Sequence, residues 1–478
     1  MSKNCRIHKK KLIMNEVSSG HLGKKLFKET LIYSIGSFGS KILSFLLLPF
    51  YTFLLTKKDL GEYDIFITTI TLFIPLVSLQ ISDAVYRWLI DKEKQNEQLK
   101  GEIITNTFIA FGIGFFLFSV LFLIYVVLEP FVYKGYFFAL MFLNCLLPIL
   151  QSVLRGEGKT KLFAFNGLIT TFLVIVFNVV FIYGLNLKVE GILLANIMAY
   201  SIACIVILFQ INLFKYFSFA NFNKKLLIEM SRYSLPLIPN LMSWWVIGSA
   251  SKFIILHYLG PESNGIYAIS SRFPSIIVIV NSIFILPIQD AFLKNDTETK
   301  DFSKLLVHFI KLEFSIIILL IAGAPIYTKF LVNYEFYDSW KYMAFLYLGV
   351  GFNTIATLIS LIYQKKRNTL RITFTSIVGG LVSIICCFLL VNKLGLYGIS
   401  ISYFLGFFTI YLLRYVDLRK ELNLGINDYV YFFYLLLIIG LIFGINSITF
   451  RSNLILFFLV LIIIVIINMK LVFKIFKK

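Results

Sequence analysis

The sequence predicts an all-α polytopic membrane protein. About fourteen transmembrane helices form two parallel-repeat six-helix bundles around a central cavity, plus a C-terminal helix pair. Three observations lead there. Hydrophobic residues make up 59% of the 478 positions and charged residues only 15%, against about 45–50% and 25% in soluble domains. Apolar runs of about 18–25 residues recur along the whole chain, each long enough to cross a hydrocarbon layer ~30 Å thick. The sequence also echoes itself. Leu60–Ile65 reads LGEYDI and Asn264–Ile269 reads NGIYAI, while Leu187–Ile192 (LKVEGI) returns as Leu394–Ile399 (LGLYGI). Both echoes come at an offset of about 205 residues, the mark of an internal duplication.

The elements follow in order. A basic arm, residues 1–27, is expected in the cytoplasm, and its length and charge argue against a cleaved signal peptide. The first span, 28–55, carries Lys41 and Pro49. The second, 62–90, starts at the Gly-Glu-Tyr turn, contains Pro75 and closes with Asp83 and Arg87. Spans at 102–128 and 133–154 precede the basic turn around Arg155, and 161–185 and 189–214 complete the first bundle (28–215). The second bundle (216–420) begins after Lys224-Lys225 with 228–258, which holds Pro236, Pro239 and Lys252. Next comes 263–291, with Arg272, Pro274 and Pro287, ending at Gln289-Asp290. Then follow 305–330, 340–364 before Lys365-Lys366-Arg367, 369–392 and 396–417. Residues 421–478 supply a peripheral pair, 428–448 and 453–473, and a basic tail.

Six helices per repeat bring both halves in from the same side, so the repeat axis runs along the membrane normal. Alternate assignment of the connections puts about 34 of the 45 lysines and arginines on the side of the N-terminus. By the positive-inside rule both termini are then cytoplasmic. The net charge of +20 reflects this bias together with attraction to anionic headgroups, and nucleic acid is not expected as a partner. All connections are short, which leaves no room for a nucleotide-binding or glycosyltransferase domain. Gly156-Glu157-Gly158-Lys159-Thr160 has the look of a phosphate loop. The pattern needs glycine where Val153 stands, so the fragment reads as a tight turn. Five scattered cysteines and four scattered histidines lack metal spacing, and neither a metal nor a cofactor is expected.

Charges inside spans are the candidates for function, because a charge near the bilayer centre costs at least about 2.5–3.5 kcal/mol on insertion scales. Lys41, Lys252 and Arg272 are such cations. Lys41 and Lys252 lie on repeat-equivalent helices and differ by about two turns in register, so the three are expected to line a positively charged cleft. Asp83 and Arg87, one turn apart, form a local ion pair or a gate, and Asp290 repeats the pattern at the matching end of the eighth span. Asp64 and Glu62 read as capping residues at the start of the second span. Prolines in spans mark helices able to bend.

The stretch Ser251–Ala268, SKFIILHYLGPESNGIYA, resembles the seventh-to-eighth helix signature of bacterial polysaccharide flippases of the Wzx type. These belong to the superfamily of multidrug, oligosaccharidyl-lipid and polysaccharide exporters. Arg272 matches a position often basic in that family, and Gly36, Gly39 and the Leu60-Gly61-Glu62-Tyr63 turn also fit. Family members often carry an Asp-Arg pair where this chain has Ser251-Lys252, so the acid of that pair is lost here.

The resemblance implies a transporter, not an enzyme. It would move an undecaprenyl-diphosphate-linked oligosaccharide repeat unit to the outer leaflet for O-antigen or capsule assembly, with polysaccharide polymerase and chain-length machinery as partners beside membrane lipids. The three cations would then meet the diphosphate. A cation-coupled multidrug exporter and a peptidoglycan-precursor flippase share the architecture. A membrane-embedded polymerase or ligase would carry a large reactive outer loop, which this chain lacks.

Overall fold

The computed structural model describes residues 45–90, 97–129, 132–294, 299–366, 368–419 and 450–476, with isolated positions between 434 and 444. Lys41 lies outside the described residues. All regular structure among the described residues is helical. The helices are α1 (Phe45–Leu54), α2 (Lys57–Val77), α3 (Ile81–Leu89), α4 (Glu97–Leu128), α5 (Lys134–Gly156) and α6 (Thr160–Asn178), which a π-turn extends to Gly184. They continue with α7 (Lys188–Gln210), the single turn α8 (Leu213–Tyr216), α9 (Lys224–Ser234), α10 (Leu237–Ser249), α11 (Ser251–Arg272) and α12 (Ser275–Lys294). The last are α13 (Thr299–Leu331), α14 (Trp340–Lys365), α15 (Thr369–Leu394), α16 (Leu396–Leu418) and α17 (Phe450–Phe476). Nine helical stretches among the described residues are long and apolar enough to cross a membrane.

Three of the expected spans are interrupted instead of continuous, and each interruption has a local cause. The second breaks after Val77, where Leu79 (φ 51°) and Gln80 (φ 49°) adopt left-handed backbone, an uncommon conformation for side chains of this size. Short-range bonds offset the strain. The Ser78 hydroxyl accepts from the Gln80 amide N–H at 3.2 Å, and the Gln80 side chain donates to Asp83 at 2.8 Å. Gly114 of α4 lies against the Val77 carbonyl, where any Cβ would collide.

The seventh span becomes α9, α10 and the first arm of α11, with Pro236 between α9 and α10. Gly260 (φ 80°, ψ 173°) then kinks α11 ahead of Pro261. Proline lacks the N–H that the first helical position would leave unpaired anyway, so it starts the next arm without loss. Pro274 separates α11 from α12 in the same way.

Helix α2 starts at Lys57, earlier than the sequence suggests. Its cap is reciprocal. The Thr56 hydroxyl and backbone N–H donate to the Asp59 carboxylate at 2.7 and 3.1 Å, and the Asp59 N–H donates to the Thr56 hydroxyl at 3.2 Å. Asp64 is therefore nearly two turns inside the helix, and the capping role expected for it belongs to Asp59.

The chain forms two compact units, one of residues 74–237 and one of 46–73 with 238–476. In the first, α5 packs on α3 and α7, and Gly156 admits Leu89. The phosphate-loop look-alike is a turn held by ion pairs, with the Glu157 carboxylate 2.7 Å from both Lys100 and Lys159. In the second, α14, α15 and α16 pack closely around Arg414, which is 1% exposed.

The echoed segments occupy equivalent structural roles. Helices α7 and α16 both start after a reversal, and Gly191 and Gly398 lie against the end of the preceding helix, at Phe181-Ile182 and Leu390 respectively. The other two echoed glycines meet face to face. A Cβ on Gly61 would strike the Pro261 carbonyl, and one on Gly265 would strike the Lys57 carbonyl. The repeat signature is thus a close helix crossing.

Candidate functional site

That crossing brings α2 and α11 near enough for polar side chains to meet. Lys252, on the first arm of α11, donates from Nζ to Asp64 Oδ1 at 2.9 Å and to the Thr68 hydroxyl at 3.4 Å. Asn264, on the second arm, donates to the Gly61 carbonyl at 3.0 Å and reaches Asp64 Oδ2 at 3.4 Å. Trp245 of α10 donates its indole N–H to the Thr68 carbonyl and the Thr71 hydroxyl at 3.3 and 3.2 Å. Both charged side chains are largely covered, 15% exposed for Lys252 and 16% for Asp64. In such surroundings a charge-assisted hydrogen bond is stronger than its counterpart in water.

Lys252 is therefore not the free cation the sequence suggests. The acid missing at Ser251 is supplied from another helix, by Asp64. Sequence reasoning passed over it because it lay close to a helix start.

Arg272 ends the second arm of α11, with its guanidinium 5.9 Å from the centre of the Tyr51 ring of α1. Lys252 and Arg272 thus share one kinked helix, on either side of Gly260. Asp83 and Arg87 sit on α3 in the first unit, both exposed. The ion pairs among the described residues do not include them, and Asp83 accepts from the Gln80 side-chain amide at 2.8 Å. Asp290 belongs to α12, and its side chain lies outside the described residues.

The family model for polysaccharide biosynthesis proteins matches residues 26–293, which include this crossing and its charged pair. The chain belongs to that family. An Lsg locus protein of Haemophilus influenzae is 26% identical over 296 residues, covering 59% of this chain and 69% of that one. An inward-facing multidrug resistance MATE transporter of the MOP superfamily is similar in structure, with a TM-score of 0.65 at 14% identity over 80% of this chain and 94% of its own. The lipid II flippase MurJ, in an inward closed conformation, gives the same TM-score at 14% identity, over 92% of this chain and all of its own. The chain shares its fold with both of these proteins, and this member of the polysaccharide biosynthesis family is a multi-pass membrane protein.

Two further buried charges escaped the sequence reading. Arg414 of α16 donates to the Thr375 hydroxyl (3.0 Å), the Ala356 carbonyl (2.9 Å), the Ile372 carbonyl (3.3 Å) and the Ser376 hydroxyl (3.1 Å). These four acceptors come from α14 and α15, so the side chain ties three helices together, with no counter-ion among the described residues. Glu313 of α13 is 1% exposed. Both fall inside expected spans, and a uniform search for ionisable residues within apolar runs would have found them.

Proposed function

We propose that this protein moves an undecaprenyl-diphosphate-linked oligosaccharide repeat unit from the cytoplasmic to the outer leaflet of the bacterial inner membrane, by alternating access, for O-antigen or capsule assembly. The observation that carries the reading is the family match over 26–293, on a fold shared with a lipid II flippase. Both termini are cytoplasmic in this reading, which the distribution of Lys and Arg supports. The first six helices of the sequence repeat form one lobe and the next six the other, with the last two helices at the lipid-facing periphery.

A diphosphate needs cations along its path, and Lys41, Lys252 and Arg272 supply them. Lys252 starts in the grip of Asp64, so the incoming diphosphate competes with a carboxylate for the same ammonium. Exchange of one anion for the other ties substrate arrival to the α2–α11 crossing. Asp83, Arg87 and Asp290 stand at the cytoplasmic ends of their spans, where they gate entry. The polyprenyl tail stays in the bilayer during passage, while the sugars cross between the lobes.

The test is complementation. A strain lacking its own oligosaccharide flippase should regain surface polymer when this chain is expressed, and should accumulate lipid-linked repeat units when it is not. Drug resistance without polymer would favour a multidrug exporter, as in the MATE fold relative. Rescue of a strain depleted of its lipid II flippase, again without polymer, would favour the peptidoglycan precursor.

A further inference from the structure

Helices α12, α13 and α14 bring three polar side chains together inside the second unit. Glu313 sits somewhat before the middle of the membrane span Phe302–Leu331 of α13. Its Oε1 accepts from the Asn281 amide of α12 at 2.8 Å. The same nitrogen donates to the Thr354 hydroxyl of α14 at 2.9 Å, and that hydroxyl donates to the Val350 carbonyl at 3.0 Å. Glu313 Oε2 is buried and meets no donor among the described residues. Gly351, one turn before Thr354, lacks the Cβ that would strike Ile317 and so lets α14 lie close to α13.

Among the described residues no ionisable group is paired with this acid. The stretch of α13 beside it faces Tyr434, whose hydroxyl pairs with Ser315 at 3.0 Å, and α17, whose Asn468 donates to Ser315 at 2.9 Å. On α14 the nearest titratable side chain, Tyr347, is two turns from Thr354 and is paired with Tyr327. On α13 itself, Lys311 and the exposed His308 project from other faces of the helix. Among the described side chains of α12, Asn281 reaches Glu313. The described ion pairs do not include Glu313.

An ionised carboxylate here would keep one charged oxygen dry and unpaired, the costliest state for a buried group. A neutral acid keeps the Asn281 bond and leaves only a hydroxyl unmatched. A metal cation is served poorly, because the amide aims N–H groups at Glu313 and Thr354 where such an ion needs oxygens.

We propose that Glu313 is a proton-binding site of the transport cycle. The carboxyl carries its proton on Oε2 in the packed state described here. It releases that proton to water when the contact of α12, α13 and α14 loosens, so substrate movement is coupled to a proton gradient. The coupling, though not the binding, rests on the flippase reading above.

Dicyclohexylcarbodiimide attacks protonated carboxyls in apolar surroundings, so it probes the wild-type full-length chain directly. Labelling of Glu313 in lipid nanodiscs, mapped by mass spectrometry, should occur at neutral pH and fall as pH rises. It should be unchanged when sodium replaces choline. Absence of labelling, indifference to pH, or protection by sodium would each overturn the proposal.

The coupling has its own readout. In the complemented strain, Glu313→Gln at wild-type protein level and with a wild-type melting temperature should restore no polymer. Full restoration by that variant would overturn the coupling. Should wild type itself restore no polymer, the flippase reading fails while the labelling result stands.

Discussion

The pair of Lys252 and Asp64 can be dissected by a double-mutant cycle. Removing one member of a buried ion pair costs about 3–5 kcal/mol, because the other charge is left uncompensated. Here both side chains keep about 15% of their surface exposed, and the remaining partners, Thr68 and Asn264, are neutral. The loss should therefore fall near the value for hydrogen bonds to charged groups, about 2–3 kcal/mol for Asp64→Asn or Lys252→Met. The double variant loses both charges together and should cost only about 1 kcal/mol, since replacement of an entire buried pair is often nearly neutral. The implied coupling is about 3 kcal/mol or more, well outside the additivity of independent sites.

In detergent, at one scan rate, each single variant should melt about 2–5 °C below wild type and the double variant closer to it. Single effects that simply add would refute the pairing. The same variants test the diphosphate role. Asp64→Asn keeps the cation and should retain export, whereas Lys252→Met should abolish it. Wild-type polymer from Lys252→Met, at a normal protein level, would remove Lys252 from the substrate path.

Two other perturbations probe the packing that holds the site. Gly61→Val places a branched side chain against the Pro261 carbonyl. It should cost at least about 1–3 kcal/mol and remove the monodisperse peak in size-exclusion chromatography, whereas Gly112→Ala, with open space around it, should leave the profile unchanged. Arg414→Met strips four acceptors of their donor. A melting temperature lowered by several degrees is expected, with export falling only in proportion to surviving protein; a specific export defect in stable protein would give Arg414 a direct role.

The helical membrane fold was legible because apolar run length and charge bias are properties of the sequence itself, independent of tertiary contacts. So was the repeat, and the structure gives its glycines a reason to recur: Gly61 and Gly265 must both be small for α2 and α11 to cross. Partnership was far less legible. The Ser251-Lys252 position looked like a broken ion pair because only neighbouring residues were compared, while the true partner, Asp64, lies 2.9 Å away on a different helix. Asp83 and Arg87 had the spacing of a helical pair, yet the left-handed turn at Leu79-Gln80 offers Asp83 a closer donor. Side-chain competition of this kind depends on backbone geometry that hydropathy does not carry.

The helix breaks connect these points. The chain passes from one compact unit to the other after Phe73 and again after Leu237, in each case within two residues of a proline, Pro75 or Pro236 and Pro239. A continuous α-helix carries an unbroken ladder of backbone hydrogen bonds. Proline removes a rung and leaves a carbonyl for other groups to satisfy. The left-handed pair Leu79-Gln80 follows Pro75 by one turn, so the strain of the break is concentrated just beyond the end of α2. Lys252 and Arg272 also lie on two arms of a helix interrupted at Gly260. Both side chains thus stand on segments whose backbone is already divided, and a change of angle there breaks fewer helical bonds than it would in a straight span.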